Sequence, residues 1–194
     1  MRIIQYSPRP SMIDMDIRQL GISDAPTYHA LRLRMLRIYP DAFTSSYEED
    51  SEKPLAWVVQ RLAPADGSLT DFVLGAFAVD AALVGSIGFS VESRGKQRHN
   101  GFIFGMYVAP EFAAQGIGRA LLGRCIERAR RIPGVEQINL TVTATNHRAR
   151  RLYEMAGFIA FGIEDRALKV GDVYYAKAHM MLTLDRSTAF DARG

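Results

Sequence analysis

Two glycines, Gly116 and Gly118, stand where a predicted strand leads through a loop into a predicted helix. Glycine lets a ligand come close to the backbone, because it has no side chain to block the approach. The free N–H groups at the start of a helix point outward and carry partial positive charge. This arrangement can bind a phosphate or a pyrophosphate. A tight turn without a ligand is the plainer alternative.

The residues around these glycines exclude two common phosphate-binding loops. A Walker loop requires Gly-Lys-Ser/Thr, and the sequence has no such tripeptide here. A dinucleotide-binding fingerprint requires a third glycine at position 121, where this chain has Leu121. An anion site at this turn would therefore belong to another class of phosphate-binding loop.

A second segment with chemical potential covers residues 146–158. Asn146 is a predicted helix cap, and its amide can also contact a ligand. Ala149 is followed three and four residues later by Leu152 and Tyr153, so these side chains share one helix face. The Tyr153 hydroxyl can donate a proton to a reacting group, whereas its structural alternative is a half-buried core tyrosine.

Together the two segments resemble the Gcn5-related N-acetyltransferase (GNAT) family, over roughly residues 102–158. The glycine turn, Ala113-Ala-Gln-Gly-Ile-Gly118, resembles the family's coenzyme A pyrophosphate loop. Ala113 departs from that pattern, because the family has Arg or Gln there. The second segment resembles the pattern Asn-x-x-Ala-x-x-Leu-Tyr-x-x-x-Gly-Phe. The matching residues are Asn146, Ala149, Leu152, Tyr153, Gly157 and Phe158.

The resemblance implies an α/β fold with a central mixed, mostly antiparallel sheet and helices on both faces. Two parallel strands, Phe102–Val108 and Gln137–Thr143, would splay apart and admit the cofactor between them. We expect a flexible leader at residues 1–13, a single acetyltransferase domain at 14–186 and a tail at 187–194.

The resemblance further implies an N-acetyltransferase that moves an acetyl group from acetyl-coenzyme A (acetyl-CoA) to a primary amine by direct attack in a ternary complex. The Met106 N–H would face the acetyl oxygen and stabilise its developing negative charge. Tyr153 would donate a proton to the leaving thiolate. The expected cofactor-binding residues are Met106, Tyr107, Val108, Ala114, Gln115, Gly116, Ile117, Gly118, Arg119, Ala120, Asn146, Ala149 and Tyr153.

No carboxylate in the sequence stands out as the general base that would accept a proton from the incoming amine. The strand at residues 101–108 has none, so a chain of water molecules is the predicted base. Glu92, Glu48 and Glu49 are weaker candidates, and we favour solvated loop charges for all three. Glu48 and Glu49 would also suit a cationic acceptor.

Neither the histidines nor the cysteine is assigned a chemical role. His99, His147 and His179 have no convincing metal-ligand spacing, so no metal is expected. Cys125 lies on the apolar face of a predicted helix, which indicates a buried small hydrophobe rather than a nucleophile.

A small-molecule amine is the favoured acceptor. A protein lysine or N-terminal acetyltransferase, and an acyl-CoA sensor without catalysis, are the alternatives. The acceptor site is expected where the first two helices and the final strands approach the acetyl group. The Pro40–Ser51 loop, with Phe43 and Tyr47, would line it together with Tyr174 and Tyr175.

Hydrophobic periodicity and turn residues predict the elements that position these residues. The first half is a strand at Met15–Leu20, a helix capped by Ser23 or Asp24, the Pro40–Ser51 loop, a helix from Pro54 to Leu62 and a turn at Pro64–Ser68. Strands follow at Phe72–Val79, Ala82–Val91 and Asn100–Val108, with a helix from the glycines to Arg131. A strand at Gln137–Thr143, a helix at Asn146–Ala156 and strands at Phe158–Gly162 and Val173–Leu184 complete the order.

Composition places the chain among ordinary globular proteins. Of 194 residues, 48% are hydrophobic and 23% are charged, which argues against disorder. The net charge of +3 is dispersed, so nucleic acid is not an expected partner. The single cysteine excludes an intrachain disulfide, and no apolar run reaches a membrane-spanning length. A cytoplasmic enzyme is expected. A homodimer stays open, because dimers are common among soluble oligomers.

Overall fold

A computed structural model describes the chain over residues 15–63 and 70–184. The predicted leader at 1–13, the turn at Pro64–Ser68 and the tail at 187–194 lie outside the described residues. Within the described residues, the strands and helices follow the predicted order. The differences are a short helix at the end of the Pro40–Ser51 loop, a longer strand from Ile159 and the cap of the first helix.

Seven strands and five α-helices make up the regular structure of the described residues. The strands are β1 (Asp16–Gln19), β2 (Phe72–Phe77), β3 (Leu83–Val91), β4 (Asn100–Val108), β5 (Gln137–Thr143), β6 (Ile159–Val170) and β7 (Val173–Thr183). The helices are α1 (Ala25–Ile38), α2 (Tyr47–Ser51), α3 (Leu55–Leu62), α4 (Ile117–Arg130) and α5 (His147–Met155).

The strands form one sheet in the order β1-β2-β3-β4-β5-β7-β6. β4 and β5 are parallel neighbours, and the other five neighbouring pairs are antiparallel. The predicted mixed, mostly antiparallel sheet is confirmed. The parallel pair follows from the connection between its strands, because α4 carries the chain back to the starting edge.

Helices cover both faces of this sheet. Side chains of a strand alternate between the faces, so neighbouring residues Phe72 and Val73 of β2 enter different hydrophobic clusters. Phe72 packs in the cluster that contains Leu122 of α4. Val73 packs in the cluster that contains Met35 of α1 and Val58 of α3. The predicted helices on both faces are therefore confirmed.

The predicted loop at Pro40–Ser51 was wrong at its end, because the chain forms α2 there. The Ser46 hydroxyl accepts a hydrogen bond from the Glu49 N–H, and the Glu49 carboxylate accepts one from the Ser46 N–H, both at 3.1 Å. This reciprocal pairing is a capping box, which starts even a short helix. The acidic residues interpreted as loop charge therefore form the first turn of a helix.

The strand predicted at Phe158–Gly162 was too short, since β6 continues to Val170. It forms a long hairpin with β7, joined at Gly171, which has a φ of +58°. Two register irregularities interrupt this pairing, and many outward side chains are exposed. The sequence of β6 therefore lacks the alternation of polar and apolar residues that marks a half-buried strand.

The predicted cap of the first helix was partly wrong. Asp24 does stand directly before α1, but its side chain makes no capping hydrogen bond there. Its carboxylate accepts from the Gly21 N–H at 2.8 Å and from the Arg18 guanidinium at 2.8 Å. The Arg18 pair and this backbone bond hold the pKa of Asp24 below its usual value despite partial burial.

Candidate active site

β4 and β5 separate after a short stretch of pairing. The last paired residues are Phe102 in β4 and Asn139 in β5. On its other edge β4 pairs with β3, and that pairing is interrupted between Phe104 and Tyr107. Gly105, within this interruption, has a φ of +58°. This bulge bends β4. A cavity of about 340 Å³ lies between the separated strands, as the predicted splay requires.

One part of the cavity lining, here called the strand wall, comes from β4, β5 and the start of α5. Four of the predicted site residues belong to it: Met106, Asn146, Ala149 and Tyr153. The structure therefore brings together residues that lie up to 47 positions apart in the sequence. The predicted pyrophosphate-loop residues do not line this cavity and lie beside it.

Tyr153 is buried at the strand wall, and its hydroxyl donates to the Met106 sulfur at 3.4 Å. Burial, followed by the nearby Cys125 thiol, raises the pKa of Tyr153 well above its ordinary value. The phenol therefore keeps its proton at neutral pH, as a proton donor must. The prediction for Cys125 is confirmed, since it is fully buried and burial raises its pKa to about 12.

The glycine turn has the backbone geometry that anion binding requires. Gly116 has a φ of +83° and precedes α4, and no side chain caps the helix start. No acidic side chain lies in the first turn, so nothing there repels an anion. A Cβ on Gly118 would lie 3.4 Å from the Met106 Cε and from the Leu152 Cδ2. The turn therefore borders the strand wall, and its donors fit a pyrophosphate.

Asn146 caps α5 as predicted. Its side-chain oxygen accepts from the Ala149 N–H at 3.0 Å. Within the described parts of the chain, its amide nitrogen has no hydrogen-bond partner, although the residue lines the cavity. Asn146 can therefore cap the helix and offer a donor to a ligand at the same time.

Some predicted cofactor residues can contribute only backbone groups. The Tyr107 ring is buried in the cluster beneath α1, and its centroid lies 6.1 Å from that of Tyr39. The side-chain amide of Gln115 donates to the Glu111 carbonyl at 3.4 Å. Ala114 has a φ of +63°, so it shapes the turn through its backbone.

The remaining lining, here called the basic wall, comes from α1, residues 42–45, α3 and β7. It carries three cations, Arg32, Arg61 and Lys177. Arg32 is buried in an ion pair with Asp50 and also donates to the Ser45 hydroxyl at 3.1 Å. Its charge is therefore balanced inside the protein.

Lys177 lies near the middle of β7 and is 6% exposed. Its ammonium donates to the Thr44 hydroxyl at 3.0 Å. Burial lowers the pKa of Lys177, and the charge of Glu164 offsets part of that effect. Sequence analysis missed this residue. A lone lysine within an otherwise apolar predicted strand was the available signal.

Arg61 lies four residues after Trp57, so both side chains share one face of α3. The Arg61 guanidinium carbon is 5.3 Å from the Trp57 ring centroid and 4.5 Å from that of Phe104. The Arg61 Nε is buried and has no hydrogen-bond partner. Sequence analysis missed both residues, because nothing local distinguishes them from an ordinary amphipathic helix.

The aromatic residues predicted for the acceptor site divide into two groups. Phe43 lines the cavity, at the basic wall. Tyr47, Tyr174 and Tyr175 do not line it, and Tyr174 instead stacks with the Arg166 guanidinium at 3.8 Å.

The predicted base candidates also lie elsewhere. Glu48 and Glu49 are exposed on α2, and no carboxylate among the described residues lines the cavity. The cavity lining therefore gives no support to the hypothesis of a cationic acceptor held by these two glutamates. His179 contacts Glu164 at 2.9 Å, outside the cavity lining.

Across residues 15–63 and 70–184, no three His, Cys, Asp or Glu side chains are grouped so that they could hold a metal ion. No helix in the same residues is long and apolar enough to cross a membrane.

Comparison with known proteins identifies the family. Residues 32–158 match the sequence profile of the acetyltransferase (GNAT) family. A mycothiol acetyltransferase from Propionibacterium freudenreichii subsp. shermanii is 43% identical over 61 residues. That match covers 31% of this chain and 19% of the relative, so the chain spans about a fifth of the relative's length.

Solved structures share the fold. A GCN5-related N-acetyltransferase from Kribbella flavida has a TM-score of 0.75 at 21% identity and covers 88% of this chain and 98% of its own. The structure of yncA from Salmonella typhimurium, which contains its cofactor acetyl-CoA, has a TM-score of 0.72 at 23% identity. The match covers 92% of this chain and 99% of the yncA chain.

The profile match spans most of the chain. It includes both sequence motifs, the strand wall and all of the basic wall except Lys177. The protein belongs to the GNAT family of acetyltransferases.

Proposed function

We propose that this enzyme transfers the acetyl group to a primary amine of a small molecule, by direct attack within a ternary complex. The observation that carries the proposal is the 340 Å³ cavity, which joins Met106 and Tyr153 to a lined acceptor space. Residues 42–45 and α3 contribute to its lining. A cavity of this size suits a small acceptor better than a protein segment.

The cofactor would lie along the strand wall and the glycine turn. Backbone N–H groups of Gly116, Gly118 and Arg119 would hold the pyrophosphate, because the start of α4 is open and free of acidic side chains. Backbone groups of Met106 and Val108 would hold the pantetheine arm. Acetyl-CoA supplies an acetyl group activated as a thioester.

Two groups of this chain would act on the reacting atoms. The Met106 N–H would stabilise the negative charge that develops on the acetyl oxygen, since Met106 lies at the bulge with no paired residue in β3. Tyr153 would donate its proton to the departing sulfur. Position supports this role, because the Tyr153 hydroxyl contacts the Met106 side chain and the residue lines the cavity.

The incoming ammonium must lose a proton before the amine can attack. Since no carboxylate among the described residues lines the cavity, water would accept this proton. The buried cations of the basic wall support this assignment, because positive charge favours the neutral form of a neighbouring amine.

Acetyl-CoA binding by calorimetry, followed by thiol release over a panel of amines, tests the proposal. We expect saturable binding, and thiol release that depends on the amine. Tyr153→Phe should lower kcat by about 100-fold, the lower range for loss of a general acid, with unchanged acetyl-CoA affinity. Tyr175→Phe is the matched control, because Tyr175 lies outside the cavity lining.

The outcomes separate the alternatives. Tight acetyl-CoA binding with no thiol release from any small amine would support a protein acceptor or an acyl-CoA sensor instead. Equal activity of Tyr153→Phe and the wild type would remove Tyr153 from the proposed chemistry.

A further inference from the structure

We propose that the acceptor amine carries a carboxylate, and that Arg61 and Lys177 bind this carboxylate at the basic wall. The acceptor class is therefore amino acids or closely similar zwitterions. This inference rests on the proposed function, because it names the substrate of the same cavity.

The charges of the lining are unbalanced. Arg32, Arg61 and Lys177 line the cavity, and no carboxylate of the described residues does. Asp50 lies behind the wall and is already shared, because it pairs with Arg32 and accepts from Lys53 at 2.6 Å. The salt bridges of Asp50 are with Arg32 and Lys53, and it forms none with Arg61 or Lys177.

Neither Lys177 nor Arg61 forms a salt bridge with another described residue, and the nearby charge of Glu164 compensates Lys177 only in part. The Lys177 ammonium is buried and has a hydroxyl as its hydrogen-bond partner. The Arg61 guanidinium rests against two aromatic rings, and its buried Nε has no hydrogen-bond acceptor. Lys177 is buried and Arg61 is partly buried. A buried charge is costly unless it is paired, so a bound anion would supply what the wall lacks. The same anion would reverse the lowered pKa of Lys177.

The positions of the two cations place them beside the reaction centre. Lys177 pairs in register with Thr143, the last residue of β5. Arg61 lies against the ring of Phe104, two residues before Met106. The cations thus flank the two separated strands, while Tyr153 and Met106 line the same 340 Å³ space. The two cations and the two proposed reacting groups therefore line one cavity, and in this proposal an amino acid binds there with its amine toward the acetyl group and its carboxylate at the basic wall.

The chemistry of the cations fits a carboxylate. A guanidinium presents paired N–H donors that match the two oxygens of a carboxylate, and an ammonium adds a point charge. The aromatic surface of Trp57 holds the Arg61 side chain, so less conformational freedom is lost on binding.

The test compares matched acceptors. The twenty common amino acids and their carboxamides are assayed by thiol release, and the binding of each to the protein–CoA complex is measured by calorimetry. We expect kcat/KM for the preferred amino acid to exceed that of its amide by at least about tenfold. Calorimetry should show the same preference without turnover.

Variants assign the preference to the two cations. Arg61→Gln and Lys177→Met should each lower kcat/KM for the amino acid by about tenfold or more and leave the amide unchanged. Arg61→Lys, which keeps the charge, should retain part of the preference. Arg130→Gln removes an exposed charge on α4 and is the control.

Acetyl-CoA affinity, measured separately, distinguishes failure of this inference from failure of the proposed function. If neutral amines are acetylated as well as amino acids, or bind the CoA complex equally well, the inference is overturned and the proposed function stands. If the variants weaken acids and amides equally, the cations do not recognise a carboxylate.

Discussion

The two walls of the cavity are built in different ways. The strand wall and the adjoining glycine turn offer backbone groups, one phenol and one amide, and they come largely from residues 102–158. The basic wall offers charged side chains from α1, residues 42–45, α3 and β7. One side is therefore assembled from neighbouring elements of the chain, and the other from widely separated ones.

This difference indicates how each side tolerates change. Backbone donors remain when side chains vary, so the turn keeps its geometry with Ala113 in the position where the family has Arg or Gln. The basic wall depends on particular charges and on the buried ion pair that orders them. Substitutions should therefore affect stability most at the basic wall and cofactor affinity most at the turn.

The largest expected effect is at Asp50. Asp50→Asn would leave Arg32 buried without its ionic partner, and loss of one member of a buried pair costs about 3–5 kcal/mol. Urea unfolding measures this change in the free energy of unfolding. Glu127→Gln is the control, since its pairs with Arg124 and Arg131 are exposed, and we expect under about 1 kcal/mol there. Equal effects would mean that burial of the Arg32–Asp50 pair does not make the basic wall more sensitive than an exposed ion pair.

Low pH should reduce the stability that Asp50 contributes. Burial alone would raise the pKa of Asp50, but Lys53 and Arg32 outweigh it and hold that pKa below its usual value. The stability that Asp50 contributes is therefore complete above the unfolded-state pKa of about 3.9, and it is lost as pH falls through the lower folded-state value. Unfolding measured from pH 6 downward should show a weaker acid dependence in Asp50→Asn than in the wild type. Matching slopes would mean that Asp50 does not carry this dependence.

An intermediate effect is expected at Gly116. Its φ of +83° is unfavourable for any residue with a Cβ, so Gly116→Ala should lower the unfolding free energy by about 1 kcal/mol. It should also weaken acetyl-CoA binding, because the turn would shift. Gly123→Ala in α4 is a control of opposite sign. It meets nothing within 4 Å, and alanine favours a helix by about 0.8 kcal/mol. Thermal unfolding and calorimetry compare the two variants, and a loss of similar size in both would count against backbone strain at Gly116.

The smallest expected effect is at Ala113. Ala113→Gln would add a side-chain donor beside the backbone donors proposed to bind the pyrophosphate, so acetyl-CoA affinity should rise about threefold. Ala160→Gln, on exposed β6, should leave the affinity unchanged. Calorimetry distinguishes the two. A tenfold gain at Ala113 would mean that side chains matter at the turn as much as they do at the basic wall.

Sequence analysis predicted the parts of the molecule whose causes are local. The start of α4, the cap at Asn146 and the burial of Cys125 depend on residues within a few positions of one another. The short helix α2 shows the limit, because its capping box at Ser46 and Glu49 was present but was outweighed by the density of charged residues. The predicted β6 was too short, because residues exposed on both faces of this strand do not alternate between polar and apolar types.

The sequence by itself determined the fold class and the proposed donor site, because short motifs specify the backbone geometry of the glycine turn and the helix cap at Asn146. Only the tertiary structure decided the character of the acceptor space. Lys177 reaches Thr44 across 133 residues, and Arg61 reaches Phe104 from a different element. No local sequence pattern predicts these contacts, because they depend on the bend of β4 and on the packing of α1 and α3 against the sheet.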